Sequence, residues 1–489
     1  MNKKQPFLTG FSHHLFGSAK RSSQAIFQDK VQQLGATTMS GLSMVFEKVL
    51  SQSELNQWCD SKRKRIYDEP TTLWAWSSQI LEANASCHKA VSNVQAWRQQ
   101  LELLAPSSQT KAYCNARKRL PKSFIEQANE HVLKNLHASI LPRDRWQGLA
   151  LKAIDGSSMQ LMDTKENQLV YPQPNQQKKG CGFPVMGVCG VVNLSHGGWE
   201  ALSTSVHTQH DLSATYGVLK HFGQNDICLA DRAYNSYEFM CLLKAQGSES
   251  LMRLHQARKR SLDWKKGKKL GLNDRLYTWQ KPKNKVPGSK LTKEEWEQLP
   301  ESMEVRITRF KYQKRDGKNE WMYLASSLLD PISYPCEELC ERYYDRWAIE
   351  LKFRDIKTML KMEFIRAKTP ELAEKTVLIL QLCYNMVYSL IQSARDAHLV
   401  KNNQISFTHC IHQILSQRAN FKGHHNHPYK RAELHETLLF LLSEELLIIR
   451  KGRHEPRARK RRPKSYQLLT KPRHEFTEIQ HRSTYKKTA

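Results

Sequence analysis

GLALKAIDG, residues 148–156, alternates apolar and polar positions and then meets Asp155-Gly156. Period-two alternation closing on a turn-forming pair predicts a strand that ends by delivering a carboxylate to a turn. Working outward, FPVMGVCGVVNLS (183–195) and WEALSTSVHT (199–208) read as two more strands, with Gly197-Gly198 between them. DLSATYGVLKHF (211–222) reads as a helix capped by Asp211 or Ser213, and ICLADRAY (227–234) as an apolar, buried strand ending at Asp231. SYEFMCLLKAQ (236–246) is a further helix, and SLMRLH (250–255) a further strand.

Three strands, a helix, a strand, a helix and a strand is the order of an RNase H-like α/β core. In that fold the first and fourth strands lie side by side, so Asp155 and Asp231 are expected to meet. A lone aspartate at a strand end is equally well explained as a turn former. A third acid comes from CEELCERYYDRWAIELKFRDIKTML, residues 336–360, which is rich in helix formers and free of Gly and Pro. At about 100° per residue, Tyr343, Arg346, Glu350 and Lys357 fall within an arc of about 60°. Ile349, Phe353, Ile356 and Leu360 form a neighbouring stripe suited to a core, and Asp345 and Asp355 point elsewhere. Taken alone, the polar face also reads as solvated surface with an Arg346–Glu350 pair.

The ungapped order Tyr, two residues, Arg, three residues, Glu, six residues, Lys resembles the YREK signature of the insertion-sequence-four family of bacterial DDE transposases. The resemblance covers most of the chain and is strongest between Asp155 and Lys357. It implies that Asp155, Asp231 and Glu350 form a catalytic triad holding Mg²⁺, with Mn²⁺ as a substitute, as a pair of ions in which Asp155 bridges both. Oxygen-only ligation suits those metals. The resemblance further implies that Tyr343, Arg346 and Lys357 hold phosphates of the non-transferred strand. Trp321, in EWMYLASSL (320–328), stands where relatives carry a tryptophan that stacks beside a flipped base. The reaction implied is cut-and-paste transposition at terminal inverted repeats through a hairpin intermediate, with double-stranded DNA as partner and a homodimer bridging both ends. Two other readings stay open: a structure-specific nuclease on the same core, which has no use for Tyr343, Arg346, Lys357 and Trp321 together, and an inactive DNA-binding derivative, which would tolerate loss of an acid.

Composition agrees with a polyanionic partner. The 489 residues carry 76 Lys and Arg against 47 acids, a net charge of +29. Residues 1–145 read as a helical region expected to recognise the transposon end, where Arg117 and Arg119 lie on a basic helix that serves either as a recognition helix or as one half of a plain helical hairpin. Residues 146–257 are expected to form the first part of the core, 258–320 a basic, mainly β insertion, 321–365 the second part of the core, 366–450 a helical C-terminal region of which part could form a subunit contact, and 451–489 a basic tail. The opening residues lack a secretory pattern. TVLILQLCYNMVYSLI (376–391) is short for a membrane span and contains Gln381 and Asn385, so a buried helix is expected. The eleven cysteines form no CxxC pairs and are expected as reduced thiols in a cytoplasmic, nucleoid-associated protein.

Overall fold

Gly148, at φ +78°, turns the chain into β1 (Ala150–Leu161). This strand is longer than expected. It does not stop at Asp155 but runs on to Leu161, because the small residues Gly156, Ser157 and Ser158 keep the extended conformation against the wholly buried β2 (Val185–Asn193), where Asp155 faces Gly190 and Gln160 faces Val185. β3 (Trp199–Val206) pairs antiparallel with β2. β4 (Asp226–Ala230) and β5 (Glu249–Arg253) extend the other side of β1 in parallel. The sheet order is thus β3-β2-β1-β4-β5. It then continues through β9 (Asn319–Ser326), β8 (Ser302–Gln313), β7 (Asp274–Gln280) and β6 (Lys268–Gly271), while β10 (Phe364–Ile365) pairs with the far end of β1. The strands of the basic 258–320 segment therefore share the sheet of residues 150–253, joined by the antiparallel pair Leu251–Ser326.

The structure is a computed structural model that describes residues 41–60, 65–207, 211–313, 317–400, 404–447 and 468–477. The start of the expected N-terminal region and most of the expected basic tail lie outside these residues. Helices α1 (Glu69–Leu81), α2 (Cys87–Gln100), α3 (Lys111–Arg119) and α4 (Lys122–Ala138) precede the sheet. Asp68 caps α1 by accepting from the Thr71 amide, with Pro70 in the first turn, and Ser86 caps α2 from the Lys89 amide. α5 (Tyr237–Ala245) links β4 to β5. The 336–360 segment forms α6 (Cys336–Tyr344), a 3₁₀ turn (Asp345–Trp347), α7 (Ala348–Arg354) and a π turn (Asp355–Met359). α8 (Pro370–His398), α9 (Phe407–Gly423) and α10 (Pro428–Glu444) follow.

The sheet's alternation sends side chains into two cores. One joins Leu151, Ala153, Leu229, Leu251, Met322 and Leu324 to α1, α4 and the α6–α10 helices. The other, on the opposite face, gathers Ile154, Val191, Phe239, Val305, Ile307 and Ala325. α8 is long and apolar enough to cross a membrane by composition, yet 83% of its most apolar window is buried within the protein. Gln381 and Asn385 explain why polar residues sit there. Asn385 accepts from the Trp199 amide at 2.8 Å and donates to the Trp199 carbonyl at 2.8 Å, and Gln381 accepts from the Leu202 amide at 3.1 Å, so they satisfy the edge strand β3.

Candidate active site

The parallel pairing of β1 with β4 ends at Ala153–Leu229. Two residues further on, the same register brings Asp155 and Asp231 level, and period-two alternation turns both to the face of Ala153 and Leu229, the face covered by α6 and α7. Asp231 follows directly on Ala230, the last residue of β4, and accepts from the Arg232 amide. Glu350 reaches this region from α7, whose Ile349 and Phe353 are buried against the same core. Gly190 makes the docking close. A Cβ there would stand 2.4 Å from the Trp199 indole and 3.0 Å from the Phe353 ring, so the residue opposite Asp155 has room only for hydrogen.

Arg346 ties the acids together. Buried in the 3₁₀ turn, it sets one guanidinium nitrogen 3.8 Å from Asp155 Oδ2 and another 3.5 Å from Glu350 Oε1. The guanidinium also lies 4.4 Å from the centroid of the Trp347 ring, and its Nε has no hydrogen-bond partner among the described residues. Burial holds Asp155 above the ordinary carboxylate range, the Gly156 amide and Arg346 pull it back, and the charges of Glu350 and Asp231 push it up again. Glu350 remains half-exposed at the rim. Tyr343 is buried beside Arg346, its hydroxyl pushed up to about 12 by burial, and it feels the charges of Asp231 and Arg253. A groove of about 320 Å³ opens at Asp155 and Asp231, lined also by Ser157, Ser205, His207 and Tyr234. Ser205 and His207 carry no motif and were not legible in the sequence.

Other expected residues are not drawn to this centre. Lys357 lies in the π turn, its ammonium pushed down by burial, with Glu363 as the acid that acts on it. Trp321 belongs with Tyr323 and Ala325, on the sheet face opposite Met322 and Leu324, and so opposite α6 and Tyr343. There Arg309 lies over its ring at 4.5 Å and Lys311 at 5.2 Å, and the same Arg309 lies 4.1 Å from the Trp264 centroid. Of the two arginines on α3, Arg119 is exposed, but Arg117 is turned inward over the Trp76 ring at 4.2 Å and donates to the Cys87 sulfur. Its expected DNA contact is thereby replaced by packing.

Three carboxylates with oxygen-only donors beside a buried arginine suit hard divalent cations. The tightest cluster of ligand-type atoms among the described residues lies elsewhere, at His137, His196 and Glu200. It is better described as an ion-pair network. His196 Nδ1 accepts the Gly198 amide at 3.0 Å, which leaves the proton on Nε2, the atom a metal would need bare. Lys152 supplies the cation, 3.3 Å from Glu200 and 2.9 Å from Asp226. Although burial pushes upward, hydrogen bonds from His137 and His196 and the Lys152 charge hold Glu200 well below the carboxylate range.

Sequence comparison agrees with this geometry. The transposase DDE domain family matches residues 146–386, which span the three acids and all ten strands among the described residues. The transposase InsG of insertion sequence element IS4 from Escherichia coli K12 is 26% identical over 418 residues, covering 84% of this chain and 89% of that protein. The transposase of element IS421 from Escherichia coli is 35% identical over 73 residues, 15% of this chain and 20% of that one. Among solved structures, a piggyBac transposase synaptic complex with hairpin DNA aligns over 84% of this chain and 87% of that chain, at 10% identity and a TM-score of 0.39, too distant a likeness to carry weight. With a DDE domain across its sheet and an IS4 transposase aligned over most of its length, the chain belongs to the IS4-like family of DDE transposases, the enzymes of bacterial insertion sequences.

Proposed function

We propose that this insertion-sequence transposase works by cut-and-paste with Asp155, Asp231 and Glu350 as its catalytic acids, and that it passes through a hairpin at each transposon end. The observation that carries this reading is Arg346, which spans Asp155 and Glu350 while Asp231 stands in register with Asp155. Repulsion among three carboxylates costs free energy unless a cation stands between them, and here a buried guanidinium does so. As a DDE transposase the protein depends on a divalent metal. We assign this to Mg²⁺: Asp155, Asp231 and Glu350 would hold a pair of ions, which would polarise the scissile phosphate and activate the attacking hydroxyl.

The chain's own groups then have distinct tasks. Arg346, held between the acids, is the cation that a DNA phosphate at this site would meet, since its fork geometry suits carboxylate and phosphate alike. Tyr343, held rigidly beside it, orients that fork. Lys357 meets the strand further along the helix, Arg119 meets the transposon end, and the Trp264–Arg309–Trp321–Lys311 array grips DNA on the far face of the sheet. The order β3-β2-β1-β4-β5, with β2 antiparallel and β4 and β5 parallel to β1, supports an RNase H-like core, with β6–β9 as the insertion before Glu350. We further assign end recognition to the helical region before residue 146, and synapsis to a homodimer on double-stranded DNA in the cytoplasm at the nucleoid.

The test uses labelled duplex carrying the element's own terminal repeat. Wild-type protein with Mg²⁺ is expected to nick the end and then yield a hairpin, which runs as a doubled strand on a denaturing gel. Asp231→Asn and Glu350→Gln are expected to abolish nicking while leaving end binding within about threefold, since one neutralised acid changes few phosphate contacts. Nicking retained in either variant removes the triad, and nicking without a hairpin removes the hairpin step.

A further inference from the structure

Lys352 follows Glu350 by two residues, so it leaves α7 about 200° around the helix and points away from the acids. It is only partly exposed, where a helix lysine ordinarily extends into solvent. Its ammonium donates to the Tyr388 hydroxyl and lies 3.8 Å from the centroid of the Tyr388 ring. Tyr388 belongs to a stack shared by α8 and α9: Tyr384 and Tyr388 lie 4.9 Å apart at 17°, and Tyr384 and Phe407 lie 4.5 Å apart at 28°. All three rings are buried. Burial pushes the Lys352 ammonium down to about 7, and Asp355, where the π turn begins, is the acid that pulls it back up.

An ammonium set against aromatic faces is held by both ring quadrupole and hydroxyl, and the hold is directional. The apolar contacts of Ile349, Phe353 and Ile356 hold α7 against the sheet without a polar anchor of that kind, and the wider π turn directly after it relaxes the helix. We propose that Lys352 is a positioning residue whose clamp on Tyr388 fixes the roll of α7 and so aims Glu350 at Asp155 and Asp231. The inference rests on the reading of those three acids as the metal ligands, and it adds the device that holds the half-exposed one in place.

The test uses full-length protein with terminal-repeat DNA and two readouts. The first is the Mn²⁺ concentration for half-maximal nicking. The second is independent of turnover: Fe²⁺ with ascorbate, which cuts the polypeptide backbone beside a bound ion. Lys352→Met keeps the stem but removes charge and donor, and it is expected to raise the Mn²⁺ requirement about tenfold, with Tyr388→Phe, which keeps the ring, raising it about threefold. Both should lose iron-directed cutting near 350 while keeping it near 155 and 231, with thermal midpoint and end affinity close to wild type. Lys352→Arg, which retains charge and donors, should restore most of the metal response. An unchanged Mn²⁺ requirement in Lys352→Met, or a fall in rate that tracks a lower thermal midpoint with the cutting pattern intact, overturns the clamp. Wild-type protein that shows no iron-directed cutting near 155, 231 and 350 instead overturns the ligand set on which the clamp depends.

Discussion

Asp155 and Asp231 were legible in the sequence because each closes an apolar, strand-like run, and a strand's register is a short-range property that survives transfer to three dimensions. Arg346 was legible as a type and a spacing, but not as a buried side chain between two acids, since burial depends on what α7 packs against. Trp321 illustrates the opposite failure. Its position in a strand was readable, yet which face it takes follows from pairing with β8, and that pairing turns it away from Tyr343 toward Arg309 and Lys311. A consequence can be measured. If Trp321 orders cations rather than a flipped base, Trp321→Ala should weaken end binding about two- to fivefold at low salt, the worth of an exposed cation–π pair. It should then slow first nicking and hairpin formation on pre-nicked DNA by the same factor. A time course of both steps at matched salt decides the matter: selective loss of the hairpin step would return Trp321 to base stacking at the cut site.

A constant angle per residue over 336–360 predicts one straight helix with the four signature residues on a shared face. The chain instead passes through a 3₁₀ turn at Asp345–Trp347 and a π turn at Asp355–Met359, so the constant angle fails on both sides of Glu350. Nothing in the composition signals either turn, because both arise where the segment must meet the sheet and α8 at once. The insertion was likewise visible as short strands but not as a continuation of the core sheet, since β5–β9 pairing joins residues far apart in the chain. Its junction is made by Arg306, fully buried on β8, which donates to Asp274 and to the carbonyls of Leu328, Asp330 and Tyr334 just before α6. How closely α7 docks can be tested through Gly190. Gly190→Ala puts a methyl into the Trp199 and Phe353 side chains and is expected to cost about 1–3 kcal/mol by overpacking. Because Phe353 is on α7, nicking should fall further than the lost stability explains at a temperature where the variant remains folded. A normal rate in a destabilised Gly190→Ala protein would mean that α7 tolerates displacement without moving Glu350.

At the scale of the whole molecule, helices before the sheet and helices after it share one core, from Leu42 to Leu442, so the boundaries drawn from composition do not mark separate cores. That fusion places several histidines where burial disfavours their charged form. Burial pushes His221 and His435 down to about 4 and lowers His196 as well, while Glu200 is held well below its ordinary range by His137, His196 and Lys152. A histidine whose folded pKa is depressed takes up its proton in the unfolded chain first, so the unfolded state binds more protons between about pH 6.5 and 4 and stability falls as pH falls through that window. Each such group contributes a slope of about 1.4 kcal/mol per pH unit there. Glu200 has the same sign lower down: its contribution is complete above the normal carboxylate range and is lost as pH falls toward its depressed folded value. Between about pH 6.5 and 4 these histidines should therefore pull the thermal midpoint down as the pH falls, against the raised carboxyls of Asp155 and Asp355, which act with the opposite sign. His435 isolates the effect, since it is 5% exposed and neither ring nitrogen has a hydrogen-bond partner among the described residues. Replacing a buried, unpaired polar ring by a hydrocarbon removes a desolvation penalty without breaking a contact. His435→Leu should be neutral or slightly stabilising at pH 7.5 and should reduce the acid slope by about one proton's worth, so that the variant gains on wild type as the pH is lowered. Midpoints measured by differential scanning fluorimetry across pH 4 to 8 check this. An acid slope identical in His435→Leu and wild type would show that His435 takes up its proton in the folded state and that the acid sensitivity lies in the other groups.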